Sequence, residues 1–225
     1  MSTKSKLNIH SALLWLPQLA ELACLVPTIE IQVSDGDPVA AIEEAVSQVG
    51  SPAFVRGDMT STWLTAGPEG FKVEGCARAA YRLIEADTHA KGFALTSLLV
   101  RRWIDCGIGI SFDNGSPIPL EVHVLACPTE ARCLHFIWDE ANLPHKLQRA
   151  PTTEEWKAVS TARRSITAKD RAFLERNARK ASELCAPLGE DLWSSQFIRD
   201  QDGRWWLIEL ERHEAAWHPA TCPKG

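Results

Sequence analysis

Long apolar runs, paired cysteine motifs and an excess of basic charge are all missing from this sequence. No segment approaches the roughly 18 uninterrupted apolar residues that span a bilayer, so we expect a soluble protein without a membrane partner. The charged first residues precede an apolar stretch that Pro17 breaks and that contains Glu21, so no export signal is predicted. The seven cysteines are an odd number without C-x-x-C pairs, which favours buried thiols and a cytoplasmic location.

The net charge of −5 argues against a general polyanion-binding protein, because phosphate backbones are bound by dense lysine and arginine. Nucleic acid is therefore not the expected partner. Residues 163–180 are a local exception, with seven basic residues against two acidic ones. Two interpretations of this basic stretch stay open: a surface for a partner, or a solvated helix face.

The order of predicted elements favours an α+β fold. Helix signals and antiparallel hairpins alternate irregularly, without the regular strand-helix-strand order of a doubly wound sheet. Apolar spacing and end signals predict helices over residues 38–49, 76–87 and 154–188. Strand patterns cover residues 53–56, 71–73 and 98–104, and two hairpins are predicted over residues 120–138 and 192–210.

A loop rich in glycine, serine and threonine follows the strand that ends at Arg56. Residues 57–70 form a loop long enough to be functional in a compact domain. The guanidinium of Arg56 can present a permanently charged fork to phosphate oxygens, and Ser61 with its threonine neighbours adds hydroxyl and amide donors. This segment is a candidate phosphate-binding loop.

Two carboxylates in the last predicted strand suggest a metal site. Glu209 and Glu211 are separated by one residue, so the period of two places both on one face of the sheet. Carboxylate oxygens on a rigid strand suit a magnesium ion that bridges nucleotide phosphates. Gln196, across the hairpin, can supply a third oxygen. A solvated edge strand is the alternative interpretation of the pair.

Five segments occur in an order that resembles the divergent ATP-grasp family. This group includes the eukaryotic cell-division-cycle 123 protein, a translation-initiation-factor assembly factor, and small ATP-grasp proteins of bacteria and phages. The segments are residues 54–61 (FVRGDMTS), 99–104 (LVRRWI), 121–124 (EVHV), 135–138 (HFIW) and 202–211 (DGRWWLIELE).

The resemblance implies two lobes with antiparallel sheets that enclose an ATP cleft. Residues 1–50 would be a reduced N-terminal segment, and residues 51–225 an ATP-grasp-like domain with lobes at about 51–104 and 105–225. ATP and Mg²⁺ are the implied cofactors, with phosphate-binding and catalytic roles for Arg56 and Lys72. The resemblance implies nucleotide contacts from Arg101, Arg102, Trp103, Ile104 and Glu121 and metal ligands at Glu209 and Glu211. Arg56, Ser61 and Lys72 are the candidate phosphate contacts, and Gln196 is the candidate third metal ligand.

Some positions depart from the pattern of the resembled family. Thr62 and Trp63 stand where relatives usually carry a lysine, and Glu121-Val122-His123 stands where they show Glu-x-Arg. Glu211 replaces a frequent asparagine. Lys72, in the next strand, is the candidate replacement for the missing cation.

The resemblance implies an ATP- and magnesium-dependent ligase of the carboxylate-amine type, which acts through an acyl-phosphate on a peptide or protein. The alternative is a nucleotide-binding assembly factor or pseudoenzyme that holds a protein partner. A third hypothesis, an RNA-directed enzyme, would use the basic stretch, but the overall acidity disfavours it.

Two other chemistries are not predicted. Cys133 and His135 share one strand face, and His123 and Cys127 share another, but these spacings lack the paired turns of structural zinc sites. The serines and histidines near the C-terminus, including Ser194 and His218, lack a nucleophile-elbow context, so an acyl-enzyme hydrolase is disfavoured.

Overall fold

The computed structural model describes residues 12–57, 72–90, 92, 94–112, 117–140, 142–189, 191–213, 216, 218–219 and 222. Within these ranges the helices are α1 (Ala12–Trp15), α2 (Pro38–Val49), α3 (Ala77–Ala90), α4 (Asn142–Leu147), α5 (Thr153–Arg164) and α6 (Ala168–Cys185). The strands are β1 (Thr28–Gln32), β2 (Ala53–Gly57), β3 (Lys72–Val73), β4 (Ser97–Arg102), β5 (Leu120–Ala126), β6 (Ala131–Phe136), β7 (Trp193–Arg199) and β8 (Trp205–Arg212). Of the helices in these ranges, none is long and apolar enough to cross a membrane.

The first sheet has the strand order β1-β4-β2-β3, and all its neighbours are antiparallel. Helices α2 and α3 cover one face, where Leu98 and Val100 pack with Ile42 and Ile84. Alternate residues of β2 and β4 point to the other face, so Arg56 and Arg101 lie on the side away from these helices.

The second sheet has the order β6-β5-β7-β8 and is also antiparallel throughout. Helix α6 packs on the face that carries Val122, Val124 and Phe197. The opposite face carries Glu121, His123 and the other alternate residues. We call this opposite face the cleft face, because it looks toward the arginines of the first sheet.

The N-terminal part of the described chain joins both sheets. Helix α1 packs in the core of the second sheet through Ala12 and Trp15, while β1 and α2 belong to the first sheet. Between them, a bridge from Leu25 runs parallel to Leu207 of β8. The proposed domain boundary at residue 50 stays a prediction.

The α+β prediction is confirmed, as are both hairpins. The helix predicted from residue 38 is also confirmed: the Asp37 carboxylate accepts a hydrogen bond from the Val39 amide, and Pro38 occupies the first turn. The helical region predicted over residues 154–188 is confirmed, and the structure divides it into the two helices α5 and α6. Thr167 caps α6 through a reciprocal bond with Asp170, which starts a new helix after Ser165.

Candidate functional site

A cavity of about 370 Å³ lies between the two sheets, within the range typical of small-molecule sites. Charged groups gather at one part of its wall and apolar groups at another. The charged lining consists of four basic side chains and three carboxylates, namely Arg56, Arg101, Arg102, Lys146, Glu121, Glu209 and Glu211. The wall of the cavity therefore has an ionic part that contains both signs of charge and a separate apolar part.

An ion cluster joins the first sheet to the second across this cavity. The guanidinium of Arg56 donates from Nη1 to Oε2 of Glu209 and from Nη2 to Oε1, the latter at 3.3 Å. Nη1 of Arg101 lies 3.9 Å from Oε2 of the same carboxylate. Both arginines and Glu209 are largely buried. Two positive charges, those of Arg56 and Arg101, thus share the single negative charge of Glu209.

Arg101 carries unused hydrogen-bonding capacity. Its Nη1 donates to the Ile208 carbonyl at 2.6 Å, but within the described part of the chain its buried Nε and Nη2 have no hydrogen-bond partner. Burial, reinforced by the charge of Arg56 and opposed by Glu209, lowers the pKa of Arg101 to about 9. Buried guanidinium donors without acceptors are costly, so an anionic oxygen at this position would be strongly favoured.

Glu209 and Glu211 both line the cavity, as their spacing predicts. They pair in register with Gln196 and Ser194 of β7. A β-bulge lies just before them, because Gln196 pairs with Glu209 whereas the next residue of β7 pairs with Leu207. Ile208 is the extra residue, and its carbonyl is the one that Arg101 binds.

The cluster of side-chain oxygens from Glu209, Glu211 and Gln196 has the chemistry to hold a divalent cation. Burial and the neighbouring charge of Glu209 raise the pKa of Glu211, while His123 and a hydrogen bond to Gln196 oppose this rise. Clustered carboxylate and amide oxygens are the hard ligands that Mg²⁺ prefers. Glu211 and Gln196 are positioned for this role, whereas Glu209 is already paired with Arg56 and would share its oxygens.

Sequence reasoning gave no role to two further cavity residues, His123 and Lys146. Nε2 of His123 lies 2.8 Å from Oε1 of Glu121, which faces the cavity beside it on β5. Lys146, on α4, lines the same cavity, and burial lowers its pKa although Glu121 opposes the effect. Helix α4 is short and contains Pro144, so no periodic signal predicted it.

Apolar side chains form the other part of the wall. Trp103 and Ile104 follow β4, while Ile198 and Ile208 come from the second sheet. The backbone here is anchored by bonds from the Arg102 amide to the Pro27 carbonyl at 3.0 Å and from the Trp103 amide to Pro52 at 3.3 Å. Such a slot suits a flat heterocycle.

Most of the residues predicted from the sequence line this one cavity. They are Arg56, Arg101, Arg102, Trp103, Ile104, Glu121, Gln196, Glu209 and Glu211. Lys72 does not line it: its ammonium pairs with Glu74 and lies 5.1 Å from the centre of the Trp103 ring. Ser61 and the rest of the predicted phosphate loop from residue 58 lie outside the described residues.

A thiol nucleophile is disfavoured in this cavity. Cys106 is the cysteine among the described lining residues, and burial together with nearby carboxylates raises its pKa to about 12. The thiolate is the reactive form, so this raised pKa disfavours Cys106 as a nucleophile.

We expect Lys146→Met to weaken binding of an anionic ligand in the cavity by about tenfold, or about 1.4 kcal/mol, because a half-buried positive charge is removed at similar side-chain length. Calorimetric titration with ATP measures the change. Lys169→Met, at an exposed position of α6, is the matched control. Equal affinities of the two variants would mean that Lys146 takes no part in anion binding.

Comparison with known proteins relates the fold, but not the sequence, to characterised enzymes. No family profile matches the sequence, and no curated relative matches it. The structure is similar to the D-alanine-D-alanine ligase of Coxiella burnetii, with a TM-score of 0.53 and 10% identity over 91% of this chain and 47% of that chain. The biotin carboxylase of Campylobacter jejuni, in an ATP complex, gives a TM-score of 0.52 and 13% identity over 88% of this chain and 39% of that chain.

A RimK domain ATP-grasp protein of Sphaerobacter thermophilus is also similar, with a TM-score of 0.45 and 13% identity over 91% of this chain and 58% of that chain. The chain thus spans between 39% and 58% of the length of these structures. The fold is ATP-grasp-like, which confirms the fold predicted from the sequence. The more specific relationship to the cell-division-cycle 123 group stays a prediction.

Proposed function

We propose that this protein is an ATP- and Mg²⁺-dependent ligase of the carboxylate-amine type that acts through an acyl-phosphate on a peptide or protein. The observation that carries the proposal is the buried arginine pair on one sheet facing the carboxylates of the other sheet across the cavity. An excess of buried guanidinium donors requires an anion, and adjacent carboxylates require a cation. A metal-nucleotide complex supplies both.

In this proposal the side chains bind and orient rather than react. Arg56 and Arg101 hold phosphate oxygens, and Trp103 with Ile208 flanks the purine. Glu211, Gln196 and Glu209 would hold Mg²⁺, which when bound neutralises phosphate charge. Part of the Arg56 guanidinium would then turn from Glu209 to the phosphates. Positioning and charge neutralisation are the main protein contributions to phosphoryl transfer.

The proposed reaction has two steps. A carboxylate oxygen of the acceptor attacks the γ-phosphorus of ATP, and the bond to the β-γ bridging oxygen breaks to release ADP. An amine nitrogen then attacks the acyl carbon, loses a proton and displaces inorganic phosphate. Neither step needs a protein nucleophile, in agreement with the raised pKa of the Cys106 thiol. The phosphate roles of Lys72 and Ser61 stay predictions that the proposal does not use, because Lys72 lies outside the cavity and pairs with Glu74 and Ser61 is outside the described residues.

We expect ATP with Mg²⁺ to raise the melting temperature. A ligand at 100 times its Kd stabilises the folded state by about 2.7 kcal/mol, which corresponds to about 5–11 °C for a chain of this size. Thermal unfolding with ATP, ADP and a non-hydrolysable analogue, each with and without Mg²⁺, measures the shift. The absence of any shift at millimolar nucleotide would rule out the nucleotide site.

The ligase step needs a separate measurement, because binding alone does not distinguish an enzyme from a binding protein. Hydroxylamine intercepts acyl-phosphates as hydroxamates, so ATP, Mg²⁺, hydroxylamine and a library of peptides with free carboxylates should yield hydroxamate and ADP in equal amounts. Mass spectrometry identifies the peptide. Nucleotide binding without turnover on any peptide would favour the alternative function.

That alternative is a nucleotide-binding assembly factor, and one observation favours it. All seven basic side chains of residues 163–180 are exposed, along the end of α5 and along α6. None of them lines the cavity, so this basic surface is separate from the nucleotide site. An acidic protein partner would fit it. Capture of a partner whose affinity changes with ATP, without peptide turnover, would decide for the assembly factor.

A further inference from the structure

Two thiols and two imidazoles from distant parts of the chain converge beside the second sheet. Cys133 and His135 belong to β6, while His218 and Cys222 belong to the segment after β8. One possible ligand atom from each residue lies within 4.8 Å of the other three. Sγ of Cys133 is 2.9 Å from Nε2 of His218, and the two histidine rings are 4.6 Å apart at their centres.

Local geometry brings each pair together. Cys133 and His135 are two residues apart on a strand, so both side chains leave the same face of β6. His218 and Cys222 are separated by three residues, and the Cys222 amide donates to the Pro219 carbonyl at 2.9 Å, which closes a turn. A spacing of three residues between two ligands is common in zinc sites. On its own it is not a recognisable motif, because the other two ligands, Cys133 and His135, come from a distant strand.

We propose that Cys133, His135, His218 and Cys222 bind a structural Zn²⁺ ion. Two thiolates and two imidazoles are a ligand set that selects zinc over the hard cations Mg²⁺ and Ca²⁺. Tetrahedral zinc with bonds of about 2.0 Å to nitrogen and about 2.3 Å to sulfur places ligand atoms about 3.3–3.8 Å apart. The largest observed separation, 4.8 Å, needs to contract by about 1–1.5 Å, while the 2.9 Å contact between Cys133 and His218 needs to lengthen by about 0.5 Å. All four residues are partly buried, so solvent competition is limited.

The role of the metal follows from the strand order. Strands β6 and β8 are the opposite edges of the second sheet, so His218 and Cys222, in the segment that follows β8, lie beside the far edge strand β6. The zinc ion would fasten this segment to an edge strand of the second sheet. Four protein ligands leave no open position, which indicates a structural site rather than a catalytic one.

The site also flanks the nucleotide cavity without being part of it. His135 pairs in register with His123, which lines the cavity, so the zinc ligands extend from the cleft face of the sheet. The fastened segment would therefore form a wall at this end of the cleft. This arrangement is independent of whether the cavity binds ATP.

Metal analysis of the full-length protein tests the proposal directly. Protein produced in zinc-supplemented medium and purified without chelators should contain close to one zinc ion per chain by inductively coupled plasma mass spectrometry. Replacement with Co²⁺ should give the intense visible absorption and sulfur-to-metal charge-transfer bands of a tetrahedral site with thiolate ligands. Chelation should lower the melting temperature and make the segment after β8 sensitive to protease.

Variants separate the site from general effects of thiol removal. Cys133→Ser and Cys222→Ser should lose the zinc, whereas Cys76→Ser, at an exposed cysteine outside the cluster, should retain it. Wild-type protein that is free of zinc and gives no cobalt spectrum would overturn the proposal, even if the variants do not fold. A disulfide between Cys133 and Cys222 in protein alkylated without reduction would overturn it as well.

Discussion

Arg101→Met is expected to weaken ATP binding by about 30- to 700-fold. Truncating one partner of a buried charge contact costs about 2–4 kcal/mol, and each 1.4 kcal/mol is a factor of ten in Kd. The effect should exceed that of Lys146→Met, because Arg101 offers buried donors that no described residue accepts. The fold should survive, since removing a desolvated charge offsets the lost bond to the Ile208 carbonyl.

Calorimetric titration with ATP and Mg²⁺ gives the Kd, and circular dichroism with thermal unfolding checks the fold. Arg171→Met, at an exposed position of α6, serves as the control and should bind as the wild type does. Arg101→Lys keeps the positive charge but loses the forked guanidinium. Its Kd for ATP should therefore lie between that of the wild type and that of Arg101→Met. An Arg101→Met variant that folds and binds ATP normally would mean that the phosphates lie elsewhere.

Glu209→Gln and Glu211→Gln should have opposite effects on stability although the two residues share one face of β8. Glu209 is paired with buried Arg56, and removal of its charge leaves two arginines uncompensated. We expect a loss of about 3 kcal/mol, or about 6–12 °C in melting temperature. Glu211 is instead repelled by Glu209, so Glu211→Gln should leave the melting temperature unchanged or raise it.

The pH dependence of the Glu211→Gln effect has a definite sign. A carboxyl whose pKa is raised in the folded state binds its proton more tightly there, so its stabilising contribution is present at low pH and is lost as the pH rises through the folded pKa. The advantage of Glu211→Gln over the wild type should therefore be largest at neutral pH. It should disappear as the pH falls toward the ordinary carboxyl value of 4.5.

Both variants should weaken the dependence of ATP binding on Mg²⁺, because each removes a proposed ligand. Melting temperature and ATP affinity across a Mg²⁺ titration, at two pH values, separate the structural effect from the metal effect. Equal destabilisation by both changes would contradict the asymmetric ion cluster. If the magnesium dependence of ATP binding is unchanged in both variants, the proposed metal site is refuted. The ion pair between Arg56 and Glu209 would not be affected by that result.

The sequence could predict those features of the site that depend on local spacing. Glu209 and Glu211 lie on one face because strand geometry demands it, and the hairpin that carries them has a clear turn signal. The helix that begins after Asp37 was likewise predictable from its capping residue. In each case the physical cause acts over a few neighbouring residues.

The remaining features depend on contacts between segments that are far apart in the chain. The bond between Arg56 and Glu209 joins residues that are 153 positions apart and lie on different sheets, so no local pattern contains it. Lys146 reaches the cavity from a short helix without apolar periodicity. Strand β1 is not among the predicted elements, although the alternation of Ile29 and Ile31 is a strand signal.

The zinc ligands illustrate the same limit. The sequence places Cys133 and His135 on one strand face, but two of four ligands are not enough to predict a zinc site. The other half, His218 and Cys222, follows β8 in the chain, and only the tertiary structure shows that these two residues lie beside β6 at the opposite edge of the sheet.

The bulge at Ile208 shifts the alternation of side chains between the two faces of β8 by one residue. Before the bulge the even-numbered residues, Trp206 and Ile208, face the cleft, and after it the odd-numbered residues, Glu209 and Glu211, do so. An unbroken pleat would offer only one of these two sets. One added residue therefore lets a single strand present an apolar surface and an ionic surface next to each other on the cleft face. A substitution in one of these surfaces can change it without altering the other.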